Sequence, residues 1–177
     1  FAMFRERHPD AYLYLHMEPS NAYGGFNIPS LLRACGLTDE HVRILNSDVN
    51  RVGYPADFLA AVYTASDVML QCTYGEGFGV PVVEAQACGT RVITSGWAAT
   101  QDLAGDDSWL VDGQPFWDEP QQAFYHIPSI PSIVNALELA YQEPRGESKT
   151  AIEFAKQFDV ERVWNWYWMP FLREFYK

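Results

Sequence analysis

The sequence predicts an α/β fold, a parallel sheet with helices on both faces followed by C-terminal helices. Three observations carry that reading. Apolar runs of strand length alternate with helical patterns over residues 11–111. These runs are continuously apolar rather than alternating, as strands covered on both faces are. The densest glycine cluster, in YGEGFGVPVVEAQACG over residues 74–89, falls between such a run and a helix, where strand–turn–helix units bind ligands.

Taken in order, FAMFRERHPDA reads as the end of a helix stopped at His8–Pro9. AYLYLHM (11–17) reads as a strand, EPSNAYGGFN as a loop, and IPSLLRACGL as a helix ended by Gly36. HVRIL (41–45) is a second strand, NSDVNRVGYP a loop, and PADFLAAVYTAS a helix with apolar residues at helical spacing. DVMLQCT is the third strand and leads into the glycine motif. TRVITS (90–95) is the fourth, AATQDLAG a short helix, and SWLV (108–111) a fifth, short strand. Beyond Asp112 the pattern changes: GQPFWDEPQQAFYHIPS reads as a long aromatic loop, of a length usually functional or disordered. SIPSIVNALELAYQ and EPRGESKTAIEFAKQF read as helices, and Asp159 as the N-cap of a last helix that Pro170 should kink or interrupt. Trp164, Trp168, Phe171 and Phe175 share one face of it and are expected to pack into the core. Trp166 and Tyr167 lie elsewhere, an excess of aromatic surface that suggests docking onto another domain or subunit.

Composition limits the function. At 177 residues, nearly half apolar, the chain can bury a sizeable core. A net charge of −11 argues against nucleic acid, whose phosphates need a basic patch, and against a broad anionic-membrane surface. Cys35, Cys72 and Cys88 form no CxxC pair, so they read as free thiols in a reducing compartment, not as disulfides or a zinc site. No apolar run spans a bilayer and no signal peptide is visible. The expected location is the cytoplasm, the cytoplasmic face of a membrane included. The chain opens at Phe1 in mid-helix register, which suggests that it is cut from something longer.

The chemistry of the glycine motif is specific. Gly75, Gly77 and Gly79 let backbone N–H groups crowd a ligand without Cβ obstruction, and Pro81 suits a first helical turn. Strand, glycine turn and helix N-terminus together favour phosphate. Two carboxylates frame the turn. Glu84, in the opening turns of the helix, cannot hold phosphate but can accept two hydrogen bonds from a ribose diol, so the implied ligand is a nucleotide. Alternatively the glycines serve only a tight turn, and Glu84 only favours the helix dipole. The co-occurrence of turn, proline, spacing and following strand weighs against both.

EGFGVPVVEAQACGTRVITS, with Glu76 and Glu84 separated by seven residues, resembles the signature of the retaining glycosyltransferases called family 4 or group 1. The resemblance is specific over residues 67–112 and weaker elsewhere. It implies the GT-B architecture, two Rossmann-like domains with the active site between them, and makes this chain most of the C-terminal, donor-binding domain. Residues 1–142 would be the Rossmann-like nucleotide-sugar-binding domain, lacking its first strand, and 143–177 helices that cross to an N-terminal domain. That strand, expected between AYLYLHM and DVMLQCT, would bring an Arg and a Lys for the diphosphate, and without it the chain alone should be inactive. Glu84 would hold the ribose. Glu76 would contact the donor sugar as the candidate catalytic residue. The backbone of Gly77, Phe78, Gly79 and Val80 would meet sugar and distal phosphate, and the base would lie over Leu45, Asn46, Ser47 and the following residues to Val49. The implied reaction moves a hexose from a UDP- or GDP-sugar to a glycan, lipid or small-molecule acceptor with retention, without cofactor or metal.

Other candidates rank lower. His16 ends a strand at the ligand-binding edge of such sheets, but ordinary hydrogen bonding explains it better. His126 in the aromatic loop, Asp102 after the fourth strand, and Arg51 each have plain surface or loop explanations. A non-catalytic nucleotide-binding or assembly domain stays open, as do a nucleotide-sugar epimerase and a sugar phosphorylase. A Rossmann dehydrogenase is disfavoured, because the turn reads GxGxG and no acid ends TRVITS.

Overall fold

The computed structural model describes residues 1–20, 25–45 and 52–176. The chain divides into two compact units, Phe1–Leu59 and Ala60–Lys177, with the boundary inside one helix, α3 (Ala56–Thr64).

The first unit holds α1 (Ala2–Arg5), β1 (Leu13–Leu15), α2 (Ile28–Ala34) and β2 (Val42–Ile44). The two strands run parallel, Leu13 opposite Val42 and Leu15 opposite Ile44. Helix α2 starts where Asn27 Oδ1 accepts the Ser30 N–H at 2.9 Å, a cap that stabilises by ~1 kcal/mol. Phe4, Ile28, Leu37, Val42 and Leu45 form the buried apolar set of this unit. The Arg5 guanidinium donates to the carbonyls of Pro9 and Ala11 at 2.8 and 3.2 Å and closes the turn after α1.

The second unit is built on β3 (Val68–Gln71), β4 (Arg91–Ser95) and β5 (Trp109–Val111), all parallel with β4 in the centre. The α/β class read from the sequence is therefore present in both units. Helix α4 (Val80–Ala87) follows β3, and a short α5 (Ala99–Asp102) follows β4. Val82 and Ala85 from α4 meet Val92 and Leu103 in the core, with Tyr63 and Met69 packed against them. Burying a side chain such as Val82 contributes about 1.5–3 kcal/mol. Among the described residues, β1 pairs only with β2, and β3 only with β4 along that edge.

Residues 113–129 are not a loop. They form an antiparallel hairpin, β6 (Gly113–Asp118) and β7 (Ala123–Pro128), with Phe116 opposite Tyr125 and Trp117 opposite Phe124. Pro115 and Pro128 hid the strands, since proline usually argues against one, but a two-stranded ribbon has free edges that tolerate it. Cross-strand aromatic contact, 5.1 Å between the Trp117 and Phe124 rings, supplies the pairing energy.

Helix α6 (Ile130–Gln142) is capped by Ser129, and α7 (Lys149–Ala155) by Ser148. Ser148 Oγ also donates to Asp107, whose Oδ2 pairs with Arg91 Nε at 2.9 Å, so α7 is tied to β4. After a 3-10 turn over Lys156–Phe158, Asp159 caps α8 (Val160–Val163) as expected, accepting from Glu161 and Arg162 N–H. The α-helical pattern is interrupted just before Pro170, in keeping with the expectation for this proline. A π-helical turn over Trp164–Trp168 leads into α9 (Met169–Phe175), where Pro170 sits in the first turn and its missing donor is harmless. The aromatic face is not core either: Trp164, Trp168, Phe171 and Phe175 are 48–72% exposed. Among the described residues no helix is long and apolar enough to cross a membrane.

Candidate functional site

The glycine turn between β3 and α4 takes its shape from Gly79. This residue is the N-cap of α4 at φ 100°, ψ 50°, a left-handed conformation that glycine adopts without steric cost. A Cβ there would also lie 3.1 Å from Thr100 Cγ2. Pro81 occupies the first turn, where a missing donor costs nothing. Among the described residues, the N–H groups of Gly77, Phe78, Gly79 and Val80 make no hydrogen bond to protein. Phe78 and Val80 are exposed. The turn therefore presents a run of free donors at the positive end of a helix, a geometry suited to anionic oxygens.

Glu76 and Glu84 flank this run on different elements. Glu76 is half-buried in the turn, and its Oε1 accepts from Gln71 Nε2 at 3.3 Å. Beneath it, Gln71 Oε1 and Thr73 Oγ1 are buried without a partner, while Ser95 Oγ donates to the Thr73 carbonyl at 2.7 Å. Glu84 is exposed and is the fifth residue of α4, so no acid occupies the helix's first turn and simple dipole stabilisation does not describe it. Its Oε2 accepts from the Tyr63 hydroxyl at 3.1 Å. Burial, with the nearby Glu84 charge, pushes the Tyr63 phenol above the ordinary tyrosine range. An open groove of about 600 Å3 runs along this face of α4, lined by Phe78, Val80, Val83 and Glu84 on one side and by Ile152, Lys156 and Phe158 on the other.

The hairpin fixes the other side of the turn. The His126 N–H donates to the Tyr74 carbonyl at 2.9 Å, and the Tyr74 ring meets Phe116 edge-on at 5.6 Å. His126 itself is 5% exposed, stacks on Trp97 at 5.5 Å, and has a buried Nδ1 without a partner. Sequence reasoning missed Tyr63, Gln71 and this packing of His126. The first two lie 21 and 5 residues from the carboxylates they bind, and only the adjacency of α3, β3 and α4 could have joined them.

The remaining predicted residues are scattered. Leu45 lies in the first unit with its side chain buried, and Asn46, Ser47, Val49 and Arg51 fall outside the described residues. His16 is exposed and bonds Tyr14 through Nδ1 at 3.3 Å, an ordinary strand-end contact. Asp102 is an exposed helix acid. All three cysteines are free: Cys35 is exposed, and burial pushes the Cys72 thiol up to about 12.

The chain is 30% identical over 157 residues to a D-inositol 3-phosphate glycosyltransferase of Arthrobacter sp. (strain FB24), covering 85% of this chain and 35% of that protein. It is 33% identical over 138 residues to the same-named protein of Streptosporangium roseum, covering 75% of this chain and 32% of that one. A shorter match, 46% over 59 residues, is to a D-inositol 3-phosphate glycosyltransferase of Rhodococcus opacus (strain B4), covering 32% of this chain and 13% of that one. The chain thus spans about a third of the length of the first and second of these relatives. The family model for glycosyl transferases group 1 matches residues 30–123, more than half of the chain and the whole of the glycine turn. With α/β architecture, free turn donors and paired carboxylates in that segment, the chain belongs to the group 1 glycosyl transferases.

Proposed function

We propose that this chain is the donor-binding part of a retaining glycosyltransferase that uses a nucleoside-diphosphate sugar, UDP- or GDP-linked, and transfers a hexose to a hydroxyl of its acceptor. The observation that carries the reading is the run of unbonded N–H groups from Gly77 to Val80, set between two carboxylates that are each held by a neighbour. Such donors stabilise charge that develops on a departing diphosphate. They are placed before the reaction, so nothing has to reorganise as the bond breaks. Glu84 reads the ribose diol. Glu76, nearer the turn, faces the sugar and stabilises positive charge as the glycosidic bond lengthens. Retention places the new bond on the face the diphosphate vacates, which suits a site whose anion cradle and acid come from one turn. The chain's own groups supply no metal step in this scheme.

The whole protein's activity also requires an acceptor-binding part, which we place in an N-terminal domain of the natural polypeptide, and the Arg and Lys expected with the first strand of the donor-binding part to neutralise the diphosphate. A helix end carries only about half a positive charge and does not balance a diphosphate alone, so the 177-residue chain by itself should bind nucleotide weakly and transfer no sugar. The relatives' names make a phosphorylated inositol the first acceptor to try.

The test is a thermal-shift screen of nucleotide sugars on the longest natural polypeptide, followed by NMR of the product. Protection by a UDP- or GDP-sugar and an anomeric configuration equal to that of the donor are expected. Equal protection by NAD, or an inverted product, would overturn the reading. Binding without transfer to any acceptor would favour a non-catalytic nucleotide-sugar-binding domain.

A further inference from the structure

An exposed carboxylate on a helix usually samples several rotamers, and a ligand that needs one of them must bear the cost of ordering it. Glu84 is exposed, yet it is not free to do this. The Tyr63 hydroxyl donates to its Oε2 at 3.1 Å from the neighbouring helix α3. Tyr63 is in turn held at both ends. Its ring packs against the core formed by Val82, Ala85, Val92 and Leu103, and its carbonyl accepts from Thr90 Oγ1 at 2.6 Å. The chain of contacts runs from the start of β4 through Tyr63 to one oxygen of the carboxylate. That leaves Oε1 and a second lone pair on Oε2 open for further donors, the two positions a vicinal diol needs.

We infer that Tyr63 is a positioning residue, which holds the Glu84 carboxylate in the orientation that accepts two ribose hydroxyls and so makes the site discriminate ribonucleotides from their deoxy counterparts. The inference rests on the proposed reading of Glu84 as the ribose ligand. A tyrosine phenol is protonated at neutral pH and so remains a donor here, and burial only moves it further above its ordinary range. Its role differs from that of a packing residue, since the ring alone would fill the core equally well.

Tyr63→Phe separates the two roles by keeping the ring and removing the hydroxyl. In the natural polypeptide that carries this chain, UDP and GDP are titrated against their 2′,3′-dideoxy counterparts, with wild type, Tyr63→Phe and Glu84→Ala side by side. Tyr63→Phe should weaken binding of the ribonucleotide by roughly 3- to 10-fold and leave the dideoxy form unchanged. In transfer assays KM for the donor should rise by a similar factor while kcat holds. Thr90→Val leaves phenol and carboxylate intact but releases the Tyr63 carbonyl, and should give a smaller loss confined to the ribonucleotide. If Tyr63→Phe binds both forms like wild type, or loses affinity for both alike, Tyr63 does not position Glu84. If Glu84→Ala keeps the full preference for the ribose form, the ribose assignment itself fails and takes the inference with it. The Glu84 variant therefore tells the two failures apart.

Discussion

Glu76 and Glu84 carry the same charge in the same short stretch, but their partners differ, and so should the consequences of removing them. On the proposed reading of Glu84 as the ribose ligand, Glu84→Ala would delete a charge-assisted acceptor of two hydroxyls, each such bond contributing about 1.5–3 kcal/mol. Binding of a bare nucleoside diphosphate should fall at least tenfold, as read by calorimetric titration. Glu76→Ala should leave that binding close to wild type and depress transfer instead. Cys72 makes a different kind of prediction. Burial raises its thiol to about 12, so the unfolded chain ionises at this residue near its ordinary value of 9.0 while the folded chain stays protonated. The proton is held more tightly in the folded state, so stability is fully present below pH 9.0 and declines as pH climbs from there to about 12. Denaturant melts of Cys72→Ala against wild type over that range should show a flatter alkaline decline in the variant. An identical slope in both would mean that the thiol contributes nothing.

At the scale of elements, the turn from β3 to α4 offers a clean separation of stability from binding. Gly79 sits at φ 100°, where a side chain costs about 1–2 kcal/mol, and a Cβ would also press on Thr100 at 3.1 Å. Gly79→Ala should therefore lower the melting temperature as well as ligand affinity. Gly77 has open space around the position of a Cβ and no left-handed backbone, so Gly77→Ala should melt like wild type. It should still bind nucleotide sugar less well, because a methyl group would stand where the ligand approaches the N–H groups. Loss of stability without loss of binding in Gly77→Ala would contradict the cradle. This turn was legible in the sequence because its signals are local: glycines at fixed spacing, a proline in the first helical turn, an apolar strand before and another after. The parallel strands were legible for the same reason, as uninterrupted apolar runs. The hairpin was not. Its prolines argue against strands, and its pairing depends on Phe116, Trp117, Phe124 and Tyr125 meeting across a turn. Tyr63 was equally hidden, since its partner is 21 residues away and the spacing carries no period. The last helix misled in another way. Its aromatic periodicity describes an apolar face but does not say what it packs against, and the core of this chain does not cover it.

For the whole molecule, that uncovered face is the feature that calls for explanation. Trp164, Trp166, Tyr167, Trp168, Phe171, Phe175 and Tyr176 are all 48–87% exposed, within one run of thirteen residues. Exposed apolar surface on this scale, reaching beyond the one face that Trp164, Trp168, Phe171 and Phe175 share, ordinarily marks an interface. The chain spans only about a third of its longer relatives, and we propose that more of the natural polypeptide packs on these rings. Arg162 lies over the Trp166 ring at 4.2 Å, a cation–π contact compatible with a buried rim. The prediction is tested by oxidative footprinting read by mass spectrometry, comparing the 177-residue chain with the longest natural polypeptide. In the short chain Trp166 and Trp168 should be oxidised readily, at rates near those of an unfolded control. In the long one they should be protected severalfold, while Trp117, exposed on the hairpin, changes little and serves as the internal reference. Replacing Trp168 with Glu should then cost the long polypeptide stability and leave the melting of the short chain almost unmoved, because only the former buries the ring. Equal oxidation of Trp166 and Trp168 in both polypeptides would show that this face meets solvent, or another molecule, in the natural protein too.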